Sequence, residues 1–431
     1  MNANARPLLS LDEALDRLRA GTAPHALRET ESVSTFDARG RILAGEVLSA
    51  LDVPPEDNAA MDGYALRIAD VRAAGTLLTV SQRIPAGVPG RPLQAGTAAR
   101  IFTGGQVPVG ADAVVMQEHC EALAAVDGQG QGFGQVRVNT VPEHAQWVRR
   151  RGEDVRLGTA VLTRGQRLTP QALGLAASVG AALLPVLRRP RVALFSTGDE
   201  LQMPGEVLRP GAIYNSNRYT LRALAEAAGC VVTDLGIVPD RLDATRAALR
   251  EAAMHNDLIV TCGGVSVGDE DHLKPAAEAE GRLQHFQLAI KPGKPLAFGE
   301  IRRPAPLAHT GSDAHGSAAL LLGLPGNPVS AFVTWLLCGS TVLRVLQGAP
   351  SALPVGLMLR ADFDWPRPDR RREFLRVRLN ADGGLDLYPN QSSGVLTSVV
   401  WADGLVDTPP GQAICRGDPV RFLSLAELIS R

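Results

Sequence analysis

The chain has 431 residues, 45% of them apolar, and a formal net charge of −1. A chain of this length is too long to fold around one ordinary hydrophobic core, so several domains are expected. The composition excludes an intrinsically disordered chain. The near-neutral charge disfavours a nucleic-acid partner, because no cationic face shows in the overall balance. Any recognition of anions must therefore be local.

The cysteines are odd in number, widely spaced and without a C-x-x-C pair. This pattern argues against a disulfide framework or a structural zinc site and is typical of a reducing cytoplasm. The N-terminus carries acidic residues early and no long apolar run, which is unlike a secretory signal. No stretch approaches roughly 18 uninterrupted apolar residues, so no membrane span is expected.

In chain order, residues 10–19 (SLDEALDRLR) predict an amphipathic helix, because Ser10 and Glu13 form a capping box. From LDVPPEDNAAMDGYAL to about residue 140, short apolar segments alternate with Gly and Pro turns, which favours a β-rich module. Inside it, the glycine-rich stretch 128–135 fits no nucleotide-binding pattern and predicts a hairpin loop. A further helix is expected to begin at Thr169–Pro170.

From about residue 188 the pattern changes to strands alternating with helices. RVALFS, CVVTDLGIV and DLIVTC are typical of buried strands, and NSNRYTLRALAEAAG, DATRAALREAAMH and NPVSAFVTWLLCGSTVLRVL are typical of helices. Short connections between them predict a mostly parallel sheet covered on both faces. The tail from about residue 350 returns to short strands, as in a small barrel.

Ligands of open α/β sheets bind outside the carboxyl ends of the strands. One such end precedes LPGNPVSAF, where Asn327 and Pro328 predict a helix start with free N–H groups for an anion, and Ser330 adds a hydroxyl. Another precedes GGVSVGDED (263–271), whose glycines let the backbone approach a phosphate.

The GGVSVG stretch is not a standard NTPase loop, because Asp269 and Glu270 stand where Gly-Lys-[Ser/Thr] is required. Acids beside a phosphate-binding backbone indicate a bridging divalent cation, for which Mg²⁺ is the best candidate. A single Asp at such a place is best explained as a helix cap. Four acids at these loop ends, together with two constrained lysines, favour a site: Glu200, Asp240, Asp269 and Asp271.

The motif KPGKP places Lys291 and Lys294 three residues apart on a backbone restricted by prolines and turned by a glycine. Two ammonium groups at roughly 7 Å repel each other by about 2 kcal/mol at an effective dielectric constant near 20. A bound anion reverses that cost. The motif is therefore suited to bind an anion.

Two irregular stretches in the β-rich module also attract attention. PPEDNAAMDGYAL contains Asp57 and Asp62, and RIFTGGQVPVGADAVVMQE contains Thr103 and Asp112. A role in local turns is the better explanation for Asp57 and Asp112. Asp62 and Thr103 are stronger candidates for a functional role, because of the family resemblance described next.

Seven motifs in order along the chain resemble those of the molybdopterin molybdenumtransferase family, which includes bacterial MoeA and the E domain of gephyrin. They are DNAAMDGYA (57–65), RIFTGGQVPVGADAVV (100–115), RRGEDV (150–155), STGDEL (196–201), GGVSVGDED (263–271), IKPGKPLAFG (290–299) and GLPGNPVSAF (323–332). The resemblance covers essentially the whole chain.

The resemblance implies a cytoplasmic homodimer of four-domain subunits. The expected domains are an elongated, discontinuous N-terminal α+β domain (1–50 and 141–187), an inserted β-rich domain (51–140), a three-layer α/β domain of the molybdopterin-binding type (188–345) and a small β-barrel-like C-terminal domain (346–431). The implied reaction inserts molybdate into adenylylated molybdopterin and releases AMP with Mg²⁺ present. A molybdopterin adenylyltransferase is the expected upstream supplier, and the cleft is expected between the α/β domain and parts of the second subunit.

Carried over by resemblance, the expected catalytic residues are Asp62, Thr103, Asp154, Glu200, Asp240, Asp271, Lys291 and Lys294. The expected substrate-binding residues are Gly263, Gly264, Ser266, Gly268, Pro295, Pro325, Asn327, Pro328 and Ser330. Glu200 and Asp271 are the expected Mg²⁺ ligands. Arg372, Arg376, Ser392 and Ser393 are expected second-subunit contacts. Gln287 stands where many relatives carry a lysine, which predicts a pocket with one cation fewer.

In the resulting hypothesis, the lysines bind the oxyanion while the acids position metal and water. Three alternatives stay open at this point. The α/β domain alone could adenylylate molybdopterin, the oxyanion could be tungstate, and a gephyrin-like scaffold role is conceivable, although the chain has no long linker or second enzyme domain.

Overall fold

The computed structural model describes residues 8–123, 133–264, 272–303 and 318–430. Within these ranges the strands form three six-stranded sheets and several two-stranded pairs. One six-stranded sheet lies in each of the β-rich, α/β and C-terminal regions. The predicted multidomain fold, with an α/β unit between β-rich units, is confirmed.

The first helix, Leu11–Thr22, begins with the predicted capping box. The Ser10 hydroxyl accepts a hydrogen bond from the Glu13 backbone N–H at 3.2 Å, and the Glu13 carboxylate accepts one from the Ser10 N–H at 2.9 Å. Its buried side chains recur at helical spacing: Leu11, Ala14, Leu15 and Leu18. They join the core of the α/β domain. This first helix therefore packs against residues that come much later in the chain.

The elongated unit is built from two separated stretches of chain that pair antiparallel. Its strand pairs are Thr30–Ser34 with Leu183–Leu187 and Val47–Leu48 with Ala160–Leu162. A third pair, Asn58–Ala59 with Val148–Arg149, joins it to the β-rich domain. The helix Pro170–Ser178 begins where predicted, with the Thr169 hydroxyl accepting a hydrogen bond from the Ala172 N–H at 3.3 Å. A small apolar core, including Leu43, Leu162 and Leu184, holds the two stretches together.

The β-rich domain is one mixed sheet with apolar clusters on both faces. Its strand order is Ala113–Met116, Gly63–Leu66, Thr97–Ile101, Thr76–Ile84, Gln135–Val138 and Cys120–Leu123. The last two strands pair antiparallel, as expected for a hairpin. Most of the glycine-rich stretch between them lies outside the described residues.

The α/β domain is a three-layer unit around a six-stranded sheet. The strand order is Val231–Val238, Arg191–Thr197, Leu258–Cys262, Ala318–Leu324, Pro295–Arg302 and Gly281–Gln287. The first four strands run parallel, and the last two add antiparallel. Separate apolar clusters cover the two faces. The helices are Ser216–Ala227, Leu242–His255, Leu273–Glu280 and Pro328–Leu346. The carboxyl ends of the parallel strands thus form one edge, which is where a ligand is expected.

The long helix Pro328–Leu346 contains the π-helical turn Trp335–Gly339 between two α-helical segments. It is long and apolar enough to cross a membrane, but 83% of its most apolar window is buried inside the protein. Burial in the core of the α/β domain is sufficient to account for its composition.

The C-terminal domain contains a six-stranded sheet that takes one strand from the α/β domain. Its order is Ile290–Lys291, Arg372–Leu379, Gly404–Thr408, Pro419–Ser424 and Leu357–Arg360, with Leu385–Leu387 added beside the second strand. Short helices follow at Thr397–Trp401 and Leu425–Ser430. The lysine motif is therefore built into the junction between the two domains.

Candidate functional site

A cavity of about 970 Å³ opens at the carboxyl edge of the parallel strands, between the α/β and C-terminal domains. Eleven residues predicted from the sequence line it: Glu200, Gly263, Lys291, Lys294, Pro295, Pro325, Asn327, Pro328, Ser330, Ser392 and Ser393. The last two were expected as second-subunit contacts, and they line the cavity of their own chain. The other nine come from three strand-end loops and the lysine motif. The structure thus brings the cationic motif and one of the predicted acids into a single cavity.

Lys291 is held in place by backbone pairing and by two carboxylates. The strand Ile290–Lys291 pairs parallel with Arg372 and Glu373. The Lys291 Nζ lies 3.0 Å from the Glu373 Oε1 and 3.5 Å from the Asp369 Oδ2. The charge on this ammonium is therefore largely offset within the protein.

Gly293 is required by the tight packing of the lysine motif against the long helix. Its φ of 109° is one that side chains with a Cβ rarely adopt. A Cβ at this position would also lie 2.4 Å from the Thr334 Oγ1. The turn that separates the two lysines is thereby fixed against the helix.

Lys294 differs from Lys291 in its surroundings. It is exposed, and its ammonium group makes no ion pair with any residue that the structure describes. Since this ammonium group pairs with no described carboxylate, it is available to bind an anion. Each charge-assisted hydrogen bond that it forms would contribute about 1.5–3 kcal/mol. The two lysines, which the sequence presents as equivalent, are thus one partnered cation and one available cation.

Glu200 follows the strand Arg191–Thr197 and is exposed at the cavity. Within the described part of the chain its carboxylate has no hydrogen-bond or ion-pair partner. On the neighbouring strand end, Gly263 has a φ of 94°, and a Cβ there would lie 2.7 Å from the Thr197 carbonyl oxygen. Glycine therefore allows the two strand ends to approach each other. Gly264 follows with a φ of 64° but does not line the cavity.

The start of the long helix is attached to the C-terminal domain. Asn327 occupies the N-cap position and Pro328 the first turn, as predicted, but the Asn327 side chain accepts no capping hydrogen bond. The Val329 N–H donates instead to the Ser393 carbonyl oxygen at 3.0 Å. One of the N–H groups expected to face an anion is therefore already bound, while the Ser330 side chain is nearly buried at the cavity wall.

The C-terminal domain supplies a cation that the sequence did not indicate. Arg371 lines the cavity together with Ser392 and Ser393. Its guanidinium group forms two hydrogen bonds to the Asp369 carboxylate, at 2.9 and 3.0 Å, and this pairing holds the pKa of Asp369 well below its usual range. No local pattern distinguishes Arg371 from the arginines beside it.

Arg372 and Arg376, which the sequence suggested as second-subunit contacts, both form contacts within their own chain. Arg372 binds the Asp407 carboxylate through two hydrogen bonds at 2.6 and 2.7 Å. Arg376 is almost fully buried, donates to the Phe374 carbonyl oxygen, and has its pKa lowered to about 10 by burial. Neither arginine lines the cavity.

Gln287 does not line this cavity either. It borders a separate depression of about 430 Å³ that also contains Arg17, Lys274 and Phe286. The expectation that glutamine here removes a cation from the main pocket is therefore wrong for this chain taken alone.

Three further candidates, Asp62, Thr103 and Asp154, lie away from the cavity. The Asp62 carboxylate accepts hydrogen bonds from the Thr103 N–H and hydroxyl, each at 2.8 Å, and these lower its pKa. Asp154 is exposed in a turn whose backbone bonds to Val53. Neither group reaches the lysine motif within one chain.

Asp240 lies at the sheet edge but outside the cavity lining, with its N–H 3.5 Å from the Asp199 carboxylate. Ser266, Gly268 and Asp271 lie outside the described residues. Among residues that are described, no group of three or more His, Cys, Asp or Glu side chains is arranged to hold a metal ion. Glu200 is thus the one predicted Mg²⁺ ligand whose position the structure describes.

The sequence matches three family models that together span most of its length. Residues 9–180 match "MoeA N-terminal region (domain I and II)", residues 193–345 match "Probable molybdopterin binding domain", and residues 358–425 match "MoeA C-terminal region (domain IV)". The order and extent of these matches agree with the units seen in the structure.

Curated relatives match most of the chain. The molybdopterin molybdenumtransferase of Haemophilus influenzae is 38% identical over 349 residues, covering 79% of this chain and 78% of that protein. That of Synechococcus elongatus is 35% identical over 432 residues, covering 97% and 100%. The solved structure of the molybdopterin biosynthesis moeA protein from Pyrococcus horikoshii is 27% identical, with a TM-score of 0.79 over 96% of this chain and 99% of that one.

These matches confirm the resemblance drawn from the seven motifs and the assignment of the chain to a class of transferases. Because the relatives match far more of the chain than the α/β domain, the alternative of a separate adenylyltransferase, which needs only that domain, is not favoured. The chain belongs to the molybdopterin molybdenumtransferase (MoeA) family.

Proposed function

We propose that this chain inserts molybdate into adenylylated molybdopterin and releases AMP, with Mg²⁺ as the cofactor. The observation that carries the proposal is the convergence of Lys291, Lys294 and Glu200 on one cavity. Its volume of about 970 Å³ is enough for a ligand of nucleotide size. The names of the full-length relatives supply the reaction class.

In this proposal the lysines bind the oxyanion. Molybdate is a compact dianion, and two charge-assisted hydrogen bonds of about 1.5–3 kcal/mol each outweigh the lysine–lysine repulsion. Lys294 supplies the unpartnered charge. Lys291 supplies a cation in a fixed position, because its backbone is part of the C-terminal sheet.

Glu200 is the residue that would hold Mg²⁺. Its carboxylate faces the cavity without a partner among the described residues, and Mg²⁺ in phosphate sites takes one or two carboxylates while keeping water and phosphate oxygens. The residues present therefore fit this ion. When bound, Mg²⁺ stabilises the negative charge that develops as the AMP phosphate is displaced.

Asp62, Thr103 and Asp154 can act in the same reaction only if another copy of the chain brings them to the cavity. We therefore include a homodimer in the proposal, with the β-rich and elongated units of one subunit completing the site of the other. The Asp62 carboxylate is already oriented by its two hydrogen bonds from Thr103 before any such contact forms. A molybdopterin adenylyltransferase is the proposed source of the substrate.

The test is a turnover assay with the purified protein, adenylylated molybdopterin and Mg²⁺, with molybdate, tungstate or neither oxyanion added. AMP release that requires molybdate is expected. Release without any oxyanion, or none with molybdate, would contradict the proposal. A separate reaction with molybdopterin, ATP and Mg²⁺ measures adenylylation, which should be absent, and the tungstate reaction determines which metal oxyanion is preferred.

A further inference from the structure

Glu373 is a buried carboxylate in the strand Arg372–Leu379 that no motif singled out. Its side chain is only 1% exposed. The Oε2 atom accepts hydrogen bonds from the Trp365 Nε1–H at 2.8 Å and from the Asp369 N–H at 2.9 Å. These two donors fix the plane and position of the carboxylate.

The other oxygen of this carboxylate faces the cavity lysine. Glu373 Oε1 is buried without a well-aligned hydrogen bond from any described residue, and the Lys291 Nζ lies 3.0 Å away. A buried charge is costly unless it is paired, so the ammonium group is held firmly against this oxygen. The backbone favours the same contact, because Lys291 and Glu373 are direct partners in the strand pairing.

The same ammonium group also reaches the cavity. The Lys291 side chain is 38% exposed and lines the cavity wall. An ammonium group has three N–H donors. The Lys291 nitrogen lies within ion-pair distance of the Glu373 and Asp369 carboxylates, while the side chain also lines the cavity. The buried Glu373 carboxylate therefore holds the ammonium group at the cavity wall by charge, and the N–H groups that point into the cavity stay available to a ligand.

We propose that Glu373 is a positioning residue that fixes the Lys291 ammonium at the cavity wall and offsets part of its charge. This inference rests on the proposed function, in which Lys291 binds the reacting oxyanion. A displacement of about 1 Å at a reacting group can cost as much as a hundredfold in rate. Glu373 therefore contributes to turnover more than to the affinity for the oxyanion.

The first test is Glu373→Gln, which keeps the shape of the side chain and removes its charge. The amide places N–H groups or a neutral oxygen opposite Lys291, so the ammonium shifts. We expect kcat for AMP release to fall about tenfold to a hundredfold. The KM for molybdate should stay equal or fall, because the cavity wall gains positive charge. If Glu373 only supported the local structure, the variant would show a higher KM for molybdate or an unchanged kcat.

Asp407→Asn is the matched control. Asp407 is a carboxylate 3% exposed on the neighbouring strand of the same sheet, and it pairs with Arg372 and Arg421 rather than with a cavity residue. It should retain the wild-type kcat even if its stability falls. An equal loss of kcat in both variants would overturn the proposal, since it would indicate general damage to the sheet.

A double-mutant cycle tests whether Glu373 acts through Lys291. In a Lys291→Ala background, Glu373→Gln should cause no further loss of kcat; an undiminished loss would overturn the proposal.

If Glu373→Gln does not fold, a second variant tests the proposal. Trp365→Phe removes one hydrogen-bond donor to the Glu373 carboxylate and should lower kcat several-fold, and an unchanged kcat would refute the positioning role. A wild-type protein without molybdate-dependent AMP release would refute the proposed function itself. In that case, calorimetric titration with molybdate still tests the effect of Glu373 on Lys291. The Glu373→Gln variant should bind molybdate as tightly as the wild type or more tightly.

Discussion

Replacing either cavity lysine by alanine should impair turnover, but only Lys291→Ala should destabilise the protein. Lys291 offsets the buried Glu373 carboxylate, and removing one partner of a buried pair costs about 3–5 kcal/mol. The Lys291 side chain is 38% exposed, so water compensates part of this loss. We expect a net destabilisation of about 1–3 kcal/mol. Lys294 is exposed and has no ion-pair partner in the described chain, so Lys294→Ala should stay within about 0.5 kcal/mol of the wild type.

The assay is urea unfolding of both variants followed by tryptophan fluorescence, because Trp365 donates a hydrogen bond to Glu373 and reports on this region. The expected result is a lower midpoint for Lys291→Ala alone. The double variant Lys291→Ala/Glu373→Gln should recover most of the loss, because no unpaired charge remains buried. Equal midpoints for Lys291→Ala and the wild type, or no recovery in the double variant, would refute the reasoning.

Two further predictions concern other carboxylates. Thr103→Val removes one of the two hydrogen-bond donors of Asp62, so the pKa of Asp62 should rise part of the way to its ordinary value in an NMR titration; an unchanged pKa would contradict the role of the hydroxyl. Asp257→Asn should cost about 3–5 kcal/mol in unfolding experiments, because the Asp257 carboxylate is buried and accepts two hydrogen bonds from Arg188, at 2.7 and 2.8 Å. Burial is the largest single influence on the pKa of Asp257 and acts to raise it, but the Arg188 hydrogen bonds, the Arg191 N–H and the nearby guanidinium charges together outweigh burial and lower the pKa. The stability difference should therefore be full above about pH 4 and shrink as the pH falls through the lowered pKa, and a difference independent of pH would contradict this account.

Local signals predicted much of the α/β domain. Alternating strand and helix patterns after residue 188 indicated the mostly parallel sheet, and the position of the strand ends indicated where the cavity would open. The capping box at Ser10 and the cap at Thr169 were also predicted, because they depend on residues a few positions apart. Such short-range patterns predict contacts within one element or between elements that are adjacent in the sequence.

The contacts that give Lys291 its character could not be predicted in this way. Its partner Glu373 lies in another domain, and nothing near either residue in the sequence specifies the pairing. Similarly, the apolar stripe of the helix Leu11–Thr22 predicted a buried face but not the domain that buries it. Adjacent arginines at the start of one strand face different surroundings, and only the register of that strand determines that Arg371 lines the cavity.

The charges around the cavity explain why a dianion would require a metal ion there. Among the described residues, Lys291 is offset by Glu373 and Arg371 by Asp369, which leaves Lys294 and Glu200 as one unpaired charge of each sign. A dianion that enters such a nearly neutral site leaves an excess of negative charge, which is costly away from bulk water. A divalent cation at Glu200 restores the balance. Calorimetric titration should therefore show tighter molybdate binding with Mg²⁺ than without it, and Glu200→Gln should weaken that dependence. Equal affinity with and without Mg²⁺ would show that the cavity provides enough positive charge by itself.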